Sequence, residues 1–446
     1  MSTTTTTAAV KAPQTIPGSD IPTLLTPIQL GSSATLAHRV VLPPLTRRRA
    51  SFGGTPNVEL SGRYYAQRAT AGGLLIAEAT NITAQGQGYP STPGIFKEQH
   101  VEAWRRITDR VHAVNKNKTS SDSVSASNAA PAVFYLQLWH VGRVSFAEYQ
   151  PDGRAQVAPS AVAIPNTNGM LPDGTATPHT VPRALEISEI DAIVDDYAKA
   201  TVNARRAGFD GVEIHGANGY LIDQFLHAGS NTRQDEYGGS IENRARFLFR
   251  VVEAVIAAWK SGNDPADNTH SVGLRLAPFG TFLAMSDPNE DELFSYVIER
   301  LNQYNLSFLH LIEPRVAGNQ TCSEVEETVV LDKYVHLYKG PIIAAGGFQP
   351  AAAERICSAY AKQGHAVAVA FGRSFISTPD LPRRLLLRAE LSPYNRATFY
   401  TNDHIGYTDQ SPLSESEVEQ HLDLLSKSRG IDDLRALNLA LSPIGV

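Results

Sequence analysis

Eight short runs of nearly unbroken apolar residues recur along the chain, each followed by a longer amphipathic or loop-rich segment. They are Val40 to Leu45, Leu74 to Glu78, Val133 to Leu138, Gly211 to His215, Ser271 to Leu276, Phe308 to Ile312, Pro341 to Ala345 and Val367 to Phe371. Runs that are continuous rather than alternating suit parallel strands covered on both faces. The segment Ser188 to Ala207 shows the partner element: Ile190, Ile193, Val194, Tyr197 and Val202 recur at helical spacing, Ser188 with Asp191 reads as a capping box, and Gly208 reads as the terminator. Alternation on this scale predicts an α/β fold, a (β/α)8 TIM barrel in a single domain with long active-site loops, over a doubly wound sheet. A chain of 446 residues that is 42% hydrophobic can fill such a core.

The organisation expected around that barrel is simple. Residues 1–20, rich in Thr, Ala and Pro, read as a disordered tail. The barrel spans 21–415, with a Ser- and Asn-rich surface insertion at about 115–131, and 416–446 form a C-terminal helical extension. The connection from Arg143 to Ile187 has many Pro and Gly residues and no periodicity, which predicts a binding loop or cap.

Charge and cysteine content exclude several classes. A net charge of -6, with no basic run longer than Arg47, Arg48 and Arg49, offers no field for nucleic acid. Two cysteines, Cys322 and Cys357, make no disulfide framework and suit a reducing compartment. No apolar stretch approaches the roughly 20 residues that span a bilayer, and the N-terminus has no signal-peptide core. The expectation is a cytoplasmic protein without nucleic-acid or membrane partners, as a monomer or homodimer.

The stretch from Gly208 to Arg244 is where chemistry concentrates. An apolar strand runs into His215, Asn218 and Tyr220, and barrel enzymes keep their chemistry at strand ends of this kind. Two side-chain donors such as His215 and Asn218 can polarise one carbonyl oxygen, an arrangement worth roughly 3 kcal/mol per donor in a dry site, and Tyr220 can donate a proton. Singly, His215 passes for a core histidine and Asn218 with Gly219 for a turn; together they point to function. Downstream, Ser240 reads as a helix N-cap.

A second polar set, Thr46, Gln137 and Arg275, lies at other strand ends. Gly346 and Gly347 after the seventh run, with Gly372 and Arg373 after the eighth, fit the phosphate site that barrels build there. Alone, the glycines would be tight turns and Arg373 a surface ion pair. His215, His227, Asp223, Asp235 and Glu236 match no usual zinc spacing, so no metal is expected. GxSxG, Walker A and GxGxxG motifs are absent from the strand and helix contexts they require.

Several long stretches, in order, resemble the Old Yellow Enzyme family of flavin-dependent ene-reductases: HRVVLPPLTRRRA (His38 to Ala50), YYAQRA (Tyr64 to Ala69), LQLWHVGRVS (Leu136 to Ser145), GFDGVEIHGANGYLIDQFL (Gly208 to Leu226), NTRQDEYGGSIENRARF (Asn231 to Phe247), VGLRLAPFGTF (Val272 to Phe282), LHLIEPR (Leu309 to Arg315) and FGRSFISTPDL (Phe371 to Leu381). The likeness covers residues 22 to 410, roughly.

The resemblance implies an FMN-binding barrel that uses NADPH or NADH to reduce the C=C bond of a small-molecule enone, with hydride from flavin N5 and protonation by Tyr220 on the opposite face. It implies cofactor contacts from Pro44, Leu45, Thr46, Ala79, Gln137, His215, Arg275, Gly346, Gly347, Gly372 and Arg373. Arg275 would lie by the end of the ring that becomes negative on reduction. His215 and Asn218 would grip the substrate carbonyl, with Trp139, Phe282, Phe399 and Tyr400 as pocket walls. Ala79 stands where many relatives have glycine. Relatives with Phe at the Tyr220 position isomerise; this chain keeps Tyr, which predicts reduction. Other readings are an FMN barrel oxidoreductase without enone turnover or a flavin- or phenol-binding barrel protein; iron–sulfur relatives need four cysteines, and this chain has two.

Overall fold

The computed structural model describes residues 21–31, 34–114, 130–261, 271–318, 320–322, 328–426 and 431–442. The tail at 1–20 and nearly all of the insertion lie outside the described residues. Eight parallel strands close into a barrel: β1 (Val40–Leu42), β2 (Leu74–Asn81), β3 (Val133–Trp139), β4 (Gly211–Gly216), β5 (Val272–Leu276), β6 (Phe308–Ile312), β7 (Ile342–Ala345) and β8 (Val367–Ala370). They pair in chain order, and β8 returns to β1 through Val369 opposite Val40.

Two strands differ from the sequence expectation by three residues, the others by at most one. β1 stops at Leu42 because Pro43 and Pro44 have no N–H to donate to a ladder. β2 runs on to Asn81, which pairs with Trp139, and a bulge lets three residue steps of β2, Ala77 to Thr80, match two on β3. Such an insertion re-aims side chains, and here Ala79 turns into the cavity described below.

Inside the barrel the lower layers are apolar, with Val41, Leu74, Ile76, Tyr135, Phe308, Ile343 and Ala368 packed together. A hairpin, Ile28–Leu30 with Ala34–Leu36, adds Ile28, Leu30 and Leu36 to this same cluster and so plugs that end. Tyr135 and Phe308 fit because two strand positions are glycine: a Cβ on Gly211 would lie 2.2 Å from the Tyr135 ring, and one on Gly273 would lie 2.3 Å from the Phe308 ring.

The helices pack outside. α1 (Val58–Ala66), α2 (Glu98–Ala113) and α3 (Ile187–Arg206) bury Tyr65, Trp104, Ile193 and Tyr197 against the outer faces of the strands. The capping box of α3 is formed by Glu186 and Glu189, not Ser188 and Asp191: the Glu186 N–H donates to Glu189 at 2.8 Å, and Asp191 instead pairs with Arg250 at 2.5 Å. Arg183 bonds both Glu189 oxygens, at 2.7 and 2.8 Å, which favours the earlier start. Gly208 ends the segment with φ +84°, and Val202 is only half-buried, the face being completed by Ala200 and Ala204. After β4 come a short α4 (Leu221–Leu226), which the sequence pattern did not announce, and α5 (Ile241–Lys260), capped by Ser240 accepting from the Asn243 N–H at 3.3 Å. At the C-terminus, helices Glu415–Ser426 and Ile431–Leu441 place Leu422, Leu434 and Leu441 in the outer core, and Arg383 bonds Asn438 at 2.9 Å.

Because the Gly273 position is filled by the Phe308 ring, Gly273→Ala is expected to cost about 1–3 kcal/mol of unfolding free energy. Gly53, with open space around it, serves as the control: Gly53→Ala should leave the urea midpoint near that of the unaltered chain.

Candidate active site

Above the apolar layers the barrel interior becomes polar and opens into a cavity of about 430 Å³ at the C-terminal strand ends, within the usual range for small-molecule sites. Pro44, Leu45 and Thr46 enter it from the end of β1, Ala79 from the β2 bulge, Gln137 and Trp139 from β3, His215 from β4 and Arg275 from β5. Gly346 and Gly347 follow β7, and Gly372 and Arg373 follow β8. Asn218, Tyr220, Phe282, Phe399 and Tyr400 line the same space, so every site residue singled out in the sequence meets at one cavity.

The turn after β4 is built to aim side chains. Asn218 and Gly219 are both left-handed, at φ +58° and +75°. A Cβ on Gly219 would lie 2.8 Å from Leu283 and 2.9 Å from the Phe282 carbonyl, so only glycine lets the Phe282 loop pack here. Gly219 N–H donates to Asp223 at 2.8 Å, and Gln224 Nε2 donates to the Gly219 and Val141 carbonyls at 2.7 and 3.0 Å. Thus α4, directly after the turn, holds it from below.

Asp223 is itself set by charge. Its other oxygen lies 3.3 Å from His227 Nδ1, and His227 Nε2 lies 3.5 Å from Glu290, with the imidazole fully buried. Burial by itself would lower the His227 pKa; Asp223 and Glu290 together outweigh it and raise it to about 10.

Above this turn the rings interlock. Tyr220 meets His215 edge-on at 5.0 Å between centroids and Trp139 at 4.8 Å, while Tyr89 stacks on Trp139 at 5.7 Å. The Tyr220 and Tyr89 hydroxyls are 3.4 Å apart. Burial lifts the Tyr220 phenol well above its ordinary range, Tyr89 and Tyr400 adding to the effect and Arg275 opposing it, so Tyr220 keeps its proton at neutral pH. Burial also holds His215 well below its usual value, and Arg275 and His310 push the same way, so the imidazole is neutral.

The donor set of the cavity fits FMN. Buried His215 Nδ1, Trp139 Nε1 and Arg275 Nε have no partner among the described residues, a costly condition unless a ligand supplies acceptors. At the glycine pair bare backbone is required: Gly346 and Gly347 have φ +126° and +75°, and a Cβ on Gly346 would lie 2.7 Å from the Glu313 Cβ. Arg373 is oriented by Thr321 Oγ1 at 2.6 Å. A guanidinium against exposed glycine backbone suits a phosphate. Arg275, Gln137 and Thr46 suit a flat ring edged with carbonyls.

Several cavity residues escaped the sequence reading. Tyr89, Met170, Val316, Gly318 and Ile376 lie in loops, short hairpins or a short helix without telling periodicity; Val316 belongs to the hairpin Val316–Ala317 with Gln320–Thr321, and Met170 to the hairpin Asn168–Met170 with Ala176–Pro178, inside the connection expected to act as a cap. The Arg47 to Arg49 run, read only for its charge, is a strap. Arg47 Nε and Arg49 Nη1 donate to the Phe399 carbonyl at 3.1 and 2.6 Å, and the Arg47 guanidinium sits beside the stacked pair of Tyr64 and Tyr407, 5.1 and 5.0 Å from their ring centroids, so the segment bearing Phe399 and Tyr400 is tied over the end of β1. Glu213 and His310 were also missed. The signal was present: a charged residue within an apolar strand, two positions before His215 and hence on the same face.

A closed barrel whose cavity has a guanidinium beside glycine backbone at one end, donors without partners at its floor and a buried phenol above them has the make-up of a flavin-dependent oxidoreductase. The signature of the NADH:flavin oxidoreductase / NADH oxidase family matches residues 23–391, and the chain belongs to that family. It is 44% identical over 395 residues to 12-oxophytodienoate reductase 2 of Arabidopsis thaliana, covering 88% of this chain and 96% of that one. It is 42% identical over 412 residues to 12-oxophytodienoate reductase 1 of Oryza sativa subsp. japonica, covering 92% and 98%. Among solved structures, morphinone reductase in complex with tetrahydroNAD superposes with a TM-score of 0.75 at 39% identity, covering 89% of this chain and 99% of that one.

The His227 charge pair makes stability pH-dependent. Its folded pKa is raised, so its contribution is complete below the unfolded value of about 6.5 and is lost as pH rises toward about 10. Thermal melts across that window should therefore decline with pH, and His227→Gln should flatten that part of the decline.

Proposed function

We infer that the chain is an FMN-dependent ene-reductase that uses NAD(P)H to reduce the C=C bond of α,β-unsaturated carbonyl compounds. The observation that carries this reading is the meeting of His215, Asn218 and a buried, protonated Tyr220 on a cavity whose remaining donors match a flavin. FMN would be held by Thr46, Gln137, Arg275, Gly346, Gly347, Gly372 and Arg373, with Pro44, Leu45 and Ala79 against it, and when bound it supplies the hydride taken from the nicotinamide.

The protein's own residues do the rest. His215 and Asn218 donate to the carbonyl oxygen of the substrate, which draws electron density from the β-carbon. Both donors are in place beforehand, so little reorganisation is needed as charge develops. Tyr220 delivers its proton to the α-carbon, and its raised pKa keeps it loaded until that carbon becomes basic. Trp139, Phe282 and Tyr400 are apolar walls that exclude water from the reacting face.

Reduction rather than isomerisation follows from the presence of Tyr220. What supports a cytoplasmic location is the cysteine usage: Cys322 and Cys357 are both free, one exposed and one buried. Among the described residues no helix is long and apolar enough to cross a membrane. We read the assembly as a monomer or homodimer and the hydride donor as NADPH or NADH.

Anaerobic NADPH should bleach the yellow holoprotein and cyclohexenone should restore the colour; a colourless protein that takes up no FMN would exclude the reading. Tyr220→Phe should slow reoxidation by the enone by about 10²–10⁴-fold while leaving reduction by NADPH nearly intact, as stopped-flow absorbance would show. His215→Ala with Asn218→Ala should abolish the long-wavelength band that phenols give above the bound flavin.

A further inference from the structure

Beneath the cavity floor lies a fully buried carboxylate that the scheme above does not use. Glu213 projects from β4 on the face that carries His215, and its side chain is 0% exposed. Each of its oxygens accepts one hydrogen bond: Oε1 from Gln137 Nε2 on β3, and Oε2 from His310 Nδ1 on β6, both at 2.7 Å. Burial outweighs the pull of Glu213 and keeps His310 below its ordinary pKa, with Arg275 acting the same way, so His310 donates as a neutral imidazole.

Two consequences follow from this placement. A carboxylate only accepts, so the Gln137 atom that faces it must be the NH2, which leaves the Gln137 carbonyl oxygen for another donor. Gln137 lines the cavity, and the one N–H of an oxidised flavin ring lies on its pyrimidine edge, so the orientation enforced by Glu213 is the one that can accept it. The second consequence is electrostatic. Arg275 stands on β5 between the strands of Glu213 and His310, its Nε has no partner among the described residues, and Glu213 is the carboxylate whose charge acts on it.

We propose that Glu213 is a positioning residue for the cofactor: it locks the Gln137 amide with its carbonyl toward the cavity and offsets the charge of Arg275, and so sets both FMN affinity and FMN reduction potential. This rests on the FMN reading above. Replacing the carboxylate by an amide puts a donor where an acceptor stood, so the lock on Gln137 is released: the new NH2 is met either by the Gln137 carbonyl turned away from the cavity or by His310 in its other tautomer. It also leaves the Arg275 charge uncompensated beside a ring that gains negative charge on reduction, which favours the reduced form.

The test uses the full chain with FMN. In Glu213→Gln the FMN dissociation constant, read by flavin fluorescence quenching, should rise about tenfold. Against an indicator dye of known potential, the ratio of reduced to oxidised flavin should rise about tenfold, a positive shift of about 30 mV for a two-electron couple. Glu213→Asp keeps the charge but shortens the reach, so affinity should fall while the potential stays near that of the unaltered chain. With Gln137→Leu already present, Glu213→Gln should cost no further affinity yet still raise the potential. A folded Glu213→Gln protein with unchanged affinity and potential overturns the inference. If that variant does not fold, Glu213→Asp decides: lowered affinity upholds the inference and unchanged affinity overturns it. An unaltered chain that binds no FMN fails at the first step, where the ene-reductase reading itself is lost.

Discussion

Pairing of β8 with β1, Val369 beside Val40, closes the sheet, and closure gives the strands one common inward direction. Every second residue of each strand must then share a narrow axis with residues from its neighbours. Near the hairpin plug that space takes Tyr135 and Phe308 over glycines; near the open end it takes Gln137, Glu213, His310, Arg275 and His215. The polar layer is stable because its central carboxylate has both oxygens bonded, which a lone buried charge would not tolerate. The reactive end of the barrel therefore stands on a layer whose carboxylate is bonded through both oxygens, while Arg275 Nε and His215 Nδ1 have no partner among the described residues.

What stands on that layer is supplied by loops, and loops need anchoring to hold a geometry. The turn carrying Asn218 and Tyr220 hangs from Asp223 and Gln224, and Asp223 is in turn faced by the protonated His227. Arg143, buried, bonds the Val162 and Leu283 carbonyls, each at 3.1 Å, and so joins the long third loop to the one bearing Phe282. Arg47 and Arg49 tie the Phe399 segment to the end of β1. The cavity walls come from distant parts of the chain and are fixed by buried guanidinium groups bonded to carbonyls, a role suited to a side chain with five donors.

The barrel was legible because parallel strands announce themselves as continuous apolar runs, and all eight lie where those runs lie. The strand ends were legible because polar residues there have no packing purpose. Other features depended on competition among neighbours. The α3 cap moved to Glu186 because Glu189 is drawn by Arg183 and Asp191 by Arg250, partners that only the fold brings close. The bulge that turns Ala79 inward depends on the register of β2 against β3, and Tyr89 reaches Tyr220 from a loop with no pattern of its own.

The amino-acid sequence by itself determined the number and order of the strands, the residues at their ends, and the likeness that names FMN as cofactor, because local periodicity and motif order are properties of the chain. Tertiary structure alone decided the protonation and orientation of those residues. A phenol that keeps its proton, a neutral imidazole with an unpartnered nitrogen, and a glutamine locked by a buried carboxylate all arise from burial and from contacts across strands. Such contacts exist only once the barrel has closed.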